Sequence, residues 1–252
     1  MFDISMRGWW PMDKRKYIGR GLQKVPGINL LEILFVDDIL FIINPKVASS
    51  SVKFSILRSV LNKDRVSLDE LWSFVSYKSV NDVAELSKKA KYVFAITRDP
   101  FSRLYSCYRQ KILLEDGPRI TKNYFFQYFP LIRRDCSFDE FIEAVCRIPD
   151  SLAEKHFMSQ YRILDIEKRR ISFDAIFKID DLWRLEDELK RLLGSTFTFG
   201  VWNTTGGAGL NSVAAHYGPR MLELVSMRYH DDLDAFGYHE SYERLKRLVN
   251  AQ

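Results

Sequence analysis

"FIINPKVASSSVKFSILRSV", residues 41–60, decides how the chain is read. With the two residues before it, the stretch "ILFII" (39–43) is an apolar run of the length and β-branched content of a fully buried strand. Val52, Ile56, Leu57, Val60 and Leu61 then recur at helical spacing, which predicts an amphipathic helix of roughly three turns. Between them lies a loop with one lysine, three consecutive serines and no glycine. The order is strand, loop, helix. The start of such a helix carries orphan amides and the positive end of the helix dipole, and both favour an anion. The amides of Val47, Ala48, Ser49, Ser50 and Ser51 would face one concavity, with the three serine hydroxyls as further donors. Lys46 precedes the turn, whereas GxxxxGK[ST] places its lysine after it, so this is not the nucleoside-triphosphate loop as written. Taken alone, the segment fits equally well a helix start capped by serines beside a solvated lysine.

A second unit of the same kind starts at "YVFAIT" (92–97) and runs into "RDPFSRLYSCYRQKILLE". Asp99 is placed to cap a helix whose first residue is Pro100, where a missing amide costs nothing. Phe101, Leu104, Tyr105 and Tyr108 line one face of that helix; Asp99, Arg103, Ser106 and Gln110 fall on another. Arg98, at the end of the strand, and Ser106, two turns into the helix, can reach one phosphate, and arginine offers a planar fork of donors for it. The plain alternative is an Arg98–Asp99 surface pair beside an ordinary helix start. Two anion sites at two strand ends call for a ligand with two separated anionic groups.

A third strand is predicted at "FDAIFKI" (173–179), followed by a helix on which Leu182, Leu185, Leu189 and Leu192 form the apolar stripe. A last helix is expected from Pro219 to just before Gly237. Around the two junctions this pattern predicts one α/β domain over residues 1–252, a three-layer structure with a mostly parallel central sheet flanked by helices. Residues 1–30 read as an N-terminal extension and 112–172 as a mainly helical insertion.

Composition bounds the function. The chain has 252 residues, 46% of them hydrophobic, enough for a sizeable core; the net charge of +5 favours anionic partners without the basic clustering of a nucleic-acid binder. Cys107, Cys136 and Cys146 lack metal-site spacing and form no even disulfide set. The apolar runs are strand-length, so no transmembrane segment is expected.

"NPKVASSSVK" (44–53) resembles the 5′-phosphosulfate loop, and "TRDPFSRLYSCYRQK" (97–111) closely resembles the 3′-phosphate motif, of sulfotransferases that use 3′-phosphoadenosine 5′-phosphosulfate (PAPS). The likeness is in particular to the Golgi carbohydrate sulfotransferases and their bacterial relatives. "FDAIFKIDDLWRLEDELKRLL" (173–193), "WNTTG" (202–206) and "YHDDLDAFGY" (229–238) follow in the family's order, so the resemblance covers roughly residues 39–238. It implies a fold like that of P-loop nucleotide kinases, with the sulfate-bearing end of PAPS in the first loop and its 3′-phosphate at Arg98 and Ser106. It further implies that Lys46 neutralises the bridging oxygen as the sulfate leaves, with adenosine 3′,5′-bisphosphate as product and no metal. The loop departs from the commoner family form, which often has glycine where Ser49 stands and threonine near Ser50.

Transfer to a hydroxyl needs a base, and the chain has only four histidines. His156, in "SLAEKHFMSQYRIL" (151–164), resembles the His-aromatic-x-x-Gln segment of carbohydrate sulfotransferases and has a suitable pKa range for a general base; Glu154 is the reserve. "HDDLD" (230–234) runs consecutively along a helix and cannot converge on one metal ion, so a solvated or helix-capping role is expected. Arg119, Lys122, Arg133 and Arg134, interleaved with aromatics, mark the insertion as the place for acceptor specificity, while Phe138, Phe141, Ile142 and Val145 have the spacing of core. The expected activity is sulfuryl transfer from PAPS to a carbohydrate or glycolipid hydroxyl. The alternatives are a nucleotide-dependent kinase, or a catalytically silent glycan-binding protein on the same fold. No leading apolar anchor is seen, which points to a cytoplasmic, bacterial-type enzyme, or to the Golgi lumen if an anchor has been removed.

Overall fold

A computed structural model describes residues 30–113, 128–133, 135–200 and 210–252. The N-terminal extension with Trp9 and Trp10, "WNTTG", and Arg119, Lys122, Tyr124, Phe125, Phe126 and Arg134 of the insertion lie outside the described residues.

The sheet has five strands in the order β3-β1-β2-β4-β5. Strands β1 (Leu30–Val36) and β2 (Ile39–Ile43) form a hairpin, with Phe35 opposite Leu40 and Val36 opposite Ile39. Asp37 and Asp38 close it, both left-handed at φ 47° and 59°, the demand of a type I′ turn, which short polar side chains tolerate. β3 (Val75–Ser79) pairs antiparallel with β1, whereas β4 (Tyr92–Thr97) pairs parallel with β2, and β5 (Ala175–Lys178) parallel with β4. The expectation of a mostly parallel sheet is therefore corrected to a mixed one, two antiparallel and two parallel pairings. The reason is local: a two-residue connection permits only an antiparallel return.

Every residue of β2 and β4 is buried, as a strand covered on both faces requires. Ile39, Phe41, Ile43, Phe94 and Ile96 pack under α1 (Ser49–Val60), α2 (Leu68–Phe74) and α7 (Leu182–Leu193). Leu40, Ile42, Val93 and Ala95 face the other way, toward α3 (Val80–Ser87), α4 (Pro100–Tyr108), α5 (Phe138–Arg147) and the C-terminal helices. Phe41 and Phe94 stack across the β2–β4 pair with ring centroids 4.7 Å apart. The result is a five-stranded sheet with helices on both faces.

Helix starts follow their caps. Ser67 with Glu70, and Ser137 with Glu140, make reciprocal capping boxes; Asp99 accepts the Ser102 amide at 2.8 Å, with Pro100 as the first residue of α4. Phe138, Phe141, Ile142 and Val145 are all buried, as core spacing predicted. The last helix is corrected. It breaks at Tyr229 (φ −114°, ψ 27°) into α9 (Pro219–Arg228) and α10 (His230–Phe236), and a further helix, α11 (His239–Asn250), follows. Both halves keep an apolar face, so periodicity runs through the break. What forces it is tertiary: the fully buried Tyr229 turns inward to donate its hydroxyl to Phe157 O at 2.5 Å. Short helices α6 (Gln160–Ile163) and α8 (Leu210–Ala214) complete the set.

Candidate active site

The loops after β2 and β4 lie side by side at the carboxyl ends of neighbouring parallel strands, where α/β sheets hold their ligands. In the first loop Val47 is fully buried and anchors the turn, and it is flanked by two left-handed residues, Lys46 at φ 71° and Ala48 at φ 60°. Such alternation folds successive amides toward one side, as in anion-binding nests. Ser49 begins α1; it is in ordinary helical conformation, so the strain falls at 46 and 48 and a glycine at 49 is not required. Ala48 offers no capping side chain and α1 has no acidic residue in its first turn. A helix start of this kind favours an anion. Ser49, Ser50 and Ser51 are half-buried along the first helical turn.

The second loop touches the first. Arg98 donates through Nη1 to Lys46 O at 3.3 Å, and Lys46 Nζ donates to Gln110 Oε1 at 2.8 Å. Gln110 belongs to a π-helical turn, Arg109–Leu113, that continues α4. Ser106 is half-buried on α4, at the same junction as Arg98. The Arg98–Asp99 surface pair is not what forms, because Asp99 is buried as the cap of α4. Burial, more than any neighbour, pulls the Lys46 ammonium down to about 8; the thiol of Cys107 opposes this, while the charges of Lys111, Arg98 and Arg103 add to it. Burial likewise lowers Arg98.

His156 stands on the segment between α5 and α6. Its Nδ1 lies 2.9 Å from each carboxylate oxygen of Glu154, and its backbone amide donates to Glu154 Oε2 at 2.9 Å. With Glu154 held below its usual range, where the charge of His156 and these hydrogen bonds outweigh burial, Nδ1 carries the proton and Nε2 the basic lone pair. Glu154 is thus the partner of His156 rather than a rival base. Burial pulls the imidazole down to about 4 against the raising influence of Glu154, and the nearby charges of Lys111 and Lys46 push the same way. Lys46 and His156 are therefore within electrostatic reach of each other. Lys155 is buried and, among the described residues, its ammonium has no hydrogen-bond partner; burial pulls it down to about 8 against the raising influence of Glu32 and Glu154.

The segment bearing His156 is held from several sides. The fully buried Arg103 donates to Pro45 O at 3.2 Å, Met158 O at 2.7 Å and Lys155 O at 2.7 Å, so one guanidinium ties the first loop to the histidine segment. Tyr128 donates to Leu152 O at 2.7 Å, and Asp150 accepts the Ser159 amide at 3.0 Å and Arg228 Nη2 at 2.5 Å. Asp232, expected to be solvated or a cap, is fully buried and accepts the amides of Gln160 at 3.0 Å and Tyr161 at 2.8 Å; it caps α6 rather than its own helix. Arg133 is engaged with Asp135 and Glu140 at the surface.

Sequence reasoning missed Gln110 as the partner of Lys46, although Gln110 shares the face of α4 that carries Arg103 and Ser106. Gln160 stands in the His-aromatic-x-x-Gln segment and Asp232 in "HDDLD", but that the two meet each other was not read from either motif. Among the described residues no group of three or more His, Cys, Asp and Glu is placed to hold a metal ion, and no helix is long and apolar enough to cross a membrane.

The site is a positively charged cradle built from two strand-end loops, with a carboxylate-oriented histidine close by. Curated proteins and solved structures gave no match to the chain. The family model described as "Sulfotransferase family" matches residues 35–239, which takes in both loops, the His156 segment and the C-terminal helices through α10. The chain belongs to the sulfotransferase family.

Proposed function

We propose that this sulfotransferase takes PAPS as donor and a carbohydrate or glycolipid hydroxyl as acceptor. The observation that carries the reading is the bond from Arg98 Nη1 to Lys46 O: it joins two cationic strand-end loops into one cradle for a ligand with two anionic groups, beside the His156–Glu154 pair. The residues fit such a donor. The uncapped start of α1, the amides of Val47 to Ser51 and Lys46 suit a phosphosulfate, and Arg98 with Ser106 suits the 3′-phosphate. When bound, the donor supplies an activated sulfuryl group and a phosphate that becomes more negative as the group departs.

The chain's own residues account for the rest. Lys46 Nζ, held by Gln110, is a positioned cation at the site where negative charge develops. His156 Nε2 takes the proton of the attacking hydroxyl, and Glu154 fixes the tautomer at Nδ1 and stabilises the imidazolium. Residues near the insertion select the acceptor.

The test is sulfate transfer from radiolabelled donor to a panel of saccharides, glycolipids and small alcohols, run beside calorimetric binding of adenosine 3′,5′-bisphosphate without metal. Arg98→Ala is expected to lose bisphosphate binding with the fold intact. His156→Ala is expected to bind it normally and lose about 10²–10⁴ in kcat. Bisphosphate affinity that survives in Arg98→Ala, or transfer at the normal rate by His156→Ala, would remove the corresponding role.

A further inference from the structure

We infer that Gln160 is a positioning residue that fixes the two donor loops against the segment carrying the base, an inference that rests on the donor site proposed above. The side chain is fully buried and uses its whole hydrogen-bonding capacity. Oε1 accepts Asn44 Nδ2 at 2.7 Å and the Arg98 amide at 2.9 Å; Nε2 donates to Arg98 O at 2.7 Å and to Asp232 Oδ2 at 3.1 Å. The orientation of the amide is decided by its partners, since a backbone N–H can only donate and a carbonyl can only accept. Flipping the amide would break both bonds to Arg98 at once.

Asn44 directly follows β2 and Arg98 directly follows β4, and Asn44 Nδ2 also donates to Ile96 O at 3.3 Å. The Gln160 amide therefore bridges the two strands at the point where they part into the two loops, much as a further rung of the ladder would. Gln160 itself belongs to the segment of His156, and its backbone amide is held by Asp232 on α10 at 3.0 Å. One side chain thus sets the distance between Lys46, Arg98 and His156. No atom of Gln160 needs to touch donor or acceptor for this.

The experiment compares wild type with Gln160→Met, which keeps the length and removes all four bonds, and with Asn44→Ser, a milder change that keeps Gln160 and loses one. Melting curves establish that each protein is folded. Gln160→Met is expected to lose about tenfold in adenosine 3′,5′-bisphosphate affinity, the cost of leaving a buried polar partner unmatched. It is also expected to move the acid limb of the kcat/KM profile, because His156 and Lys46 are no longer held at their present separation; Asn44→Ser should move both in the same direction by less. Hydrogen exchange at the Arg98 amide, measured without ligand, should quicken in both variants. Unchanged exchange in the folded variants overturns the inference, as does an unaltered pH profile alongside wild-type affinity. If wild type fails to bind the bisphosphate, the donor assignment falls and the exchange rates alone decide for or against Gln160. Should Gln160→Met not fold, Asn44→Ser is judged by the same criteria.

Discussion

At the residue scale the proposed chemistry rests on two groups whose protonation is set by burial. His156 is held at about 4 and Lys46 at about 8, so near neutral pH the imidazole is a free base and the ammonium keeps its charge. The kcat/KM profile is expected to stay flat from about pH 7 down to about 5, and to fall with an acid limb near 4 rather than near the ordinary histidine value; on the alkaline side it should decline as Lys46 deprotonates above about 8. Stability responds with its own signs. Between the unfolded value of 6.5 and about 4, the unfolded chain takes up a proton that folded His156 does not, so acidification through that window destabilises the fold. Between about 8 and 10.5, the unfolded lysine keeps a proton that folded Lys46 has released, so the fold gains stability with rising pH while activity drops. Urea titrations and steady-state rates over the same pH series check both. Lys46, Arg98 and His156, the residues of the proposed site, were named from the sequence because each sits in a short motif. Gln160 and Asp232 also stand in short motifs, yet their roles were not legible: Gln160 meets Asn44 across 116 positions and Asp232 across 72, and no local spacing encodes such a meeting.

At the scale of elements, the loop from Asn44 to Ala48 makes its left-handed turns without glycine. Its two left-handed residues are Lys46 and Ala48, and of these only Ala48 can be varied without removing a charge. Ala48→Val forces a β-branched side chain into the left-handed region and should destabilise the protein by about 2 kcal/mol. Ala48→Gly relieves local strain but loosens the unfolded chain, and should stay within about 1 kcal/mol of wild type. Chemical denaturation of the pair provides the check; equal losses in both would mean that the left-handed turn is not what position 48 contributes. The starts of α1 and α4 were readable because a strand-length apolar run and a helical stripe meet there, but the change to a π-helical turn at Arg109 was not. The break at Tyr229 was not readable, since apolar spacing continues across it and only the contact with Phe157 O reveals it. Strand β3 also went unread: its burial is mixed and it lies at the sheet edge, so neither alternation nor a solid apolar run marks it.

At the scale of the whole molecule, alternation of strands and helices predicted a sheet with two covered faces, and the separate apolar cores on each side of β2 and β4 are what that requires. The stretch "ILFVDDILFII" (33–43) reads as a strand pair or as one strand with a turn at Asp37-Asp38, and the β1–β2 register decides for the hairpin. Across these layers Arg103 is the widest tie, joining Pro45, Lys155 and Met158 through one buried fork. Arg103→Lys retains the charge but cannot span three carbonyls, and is expected to cost about 2–4 kcal/mol in thermal or urea unfolding; a loss below about 0.5 kcal/mol would reduce this tie to a surface-like contact. The turn at Asp37 and Asp38 has a further consequence, in time rather than in space. The β1–β2 hairpin is a local contact and can close within microseconds, whereas β4 and β5 must wait for long chain closures before they can dock. The strand that leads to Lys46 is therefore expected to form early and the strand that brings Arg98 to dock late, which places the assembly of the cradle near the end of folding. A ligand of that cradle then holds the native state against unfolding and leaves the refolding rate where it was.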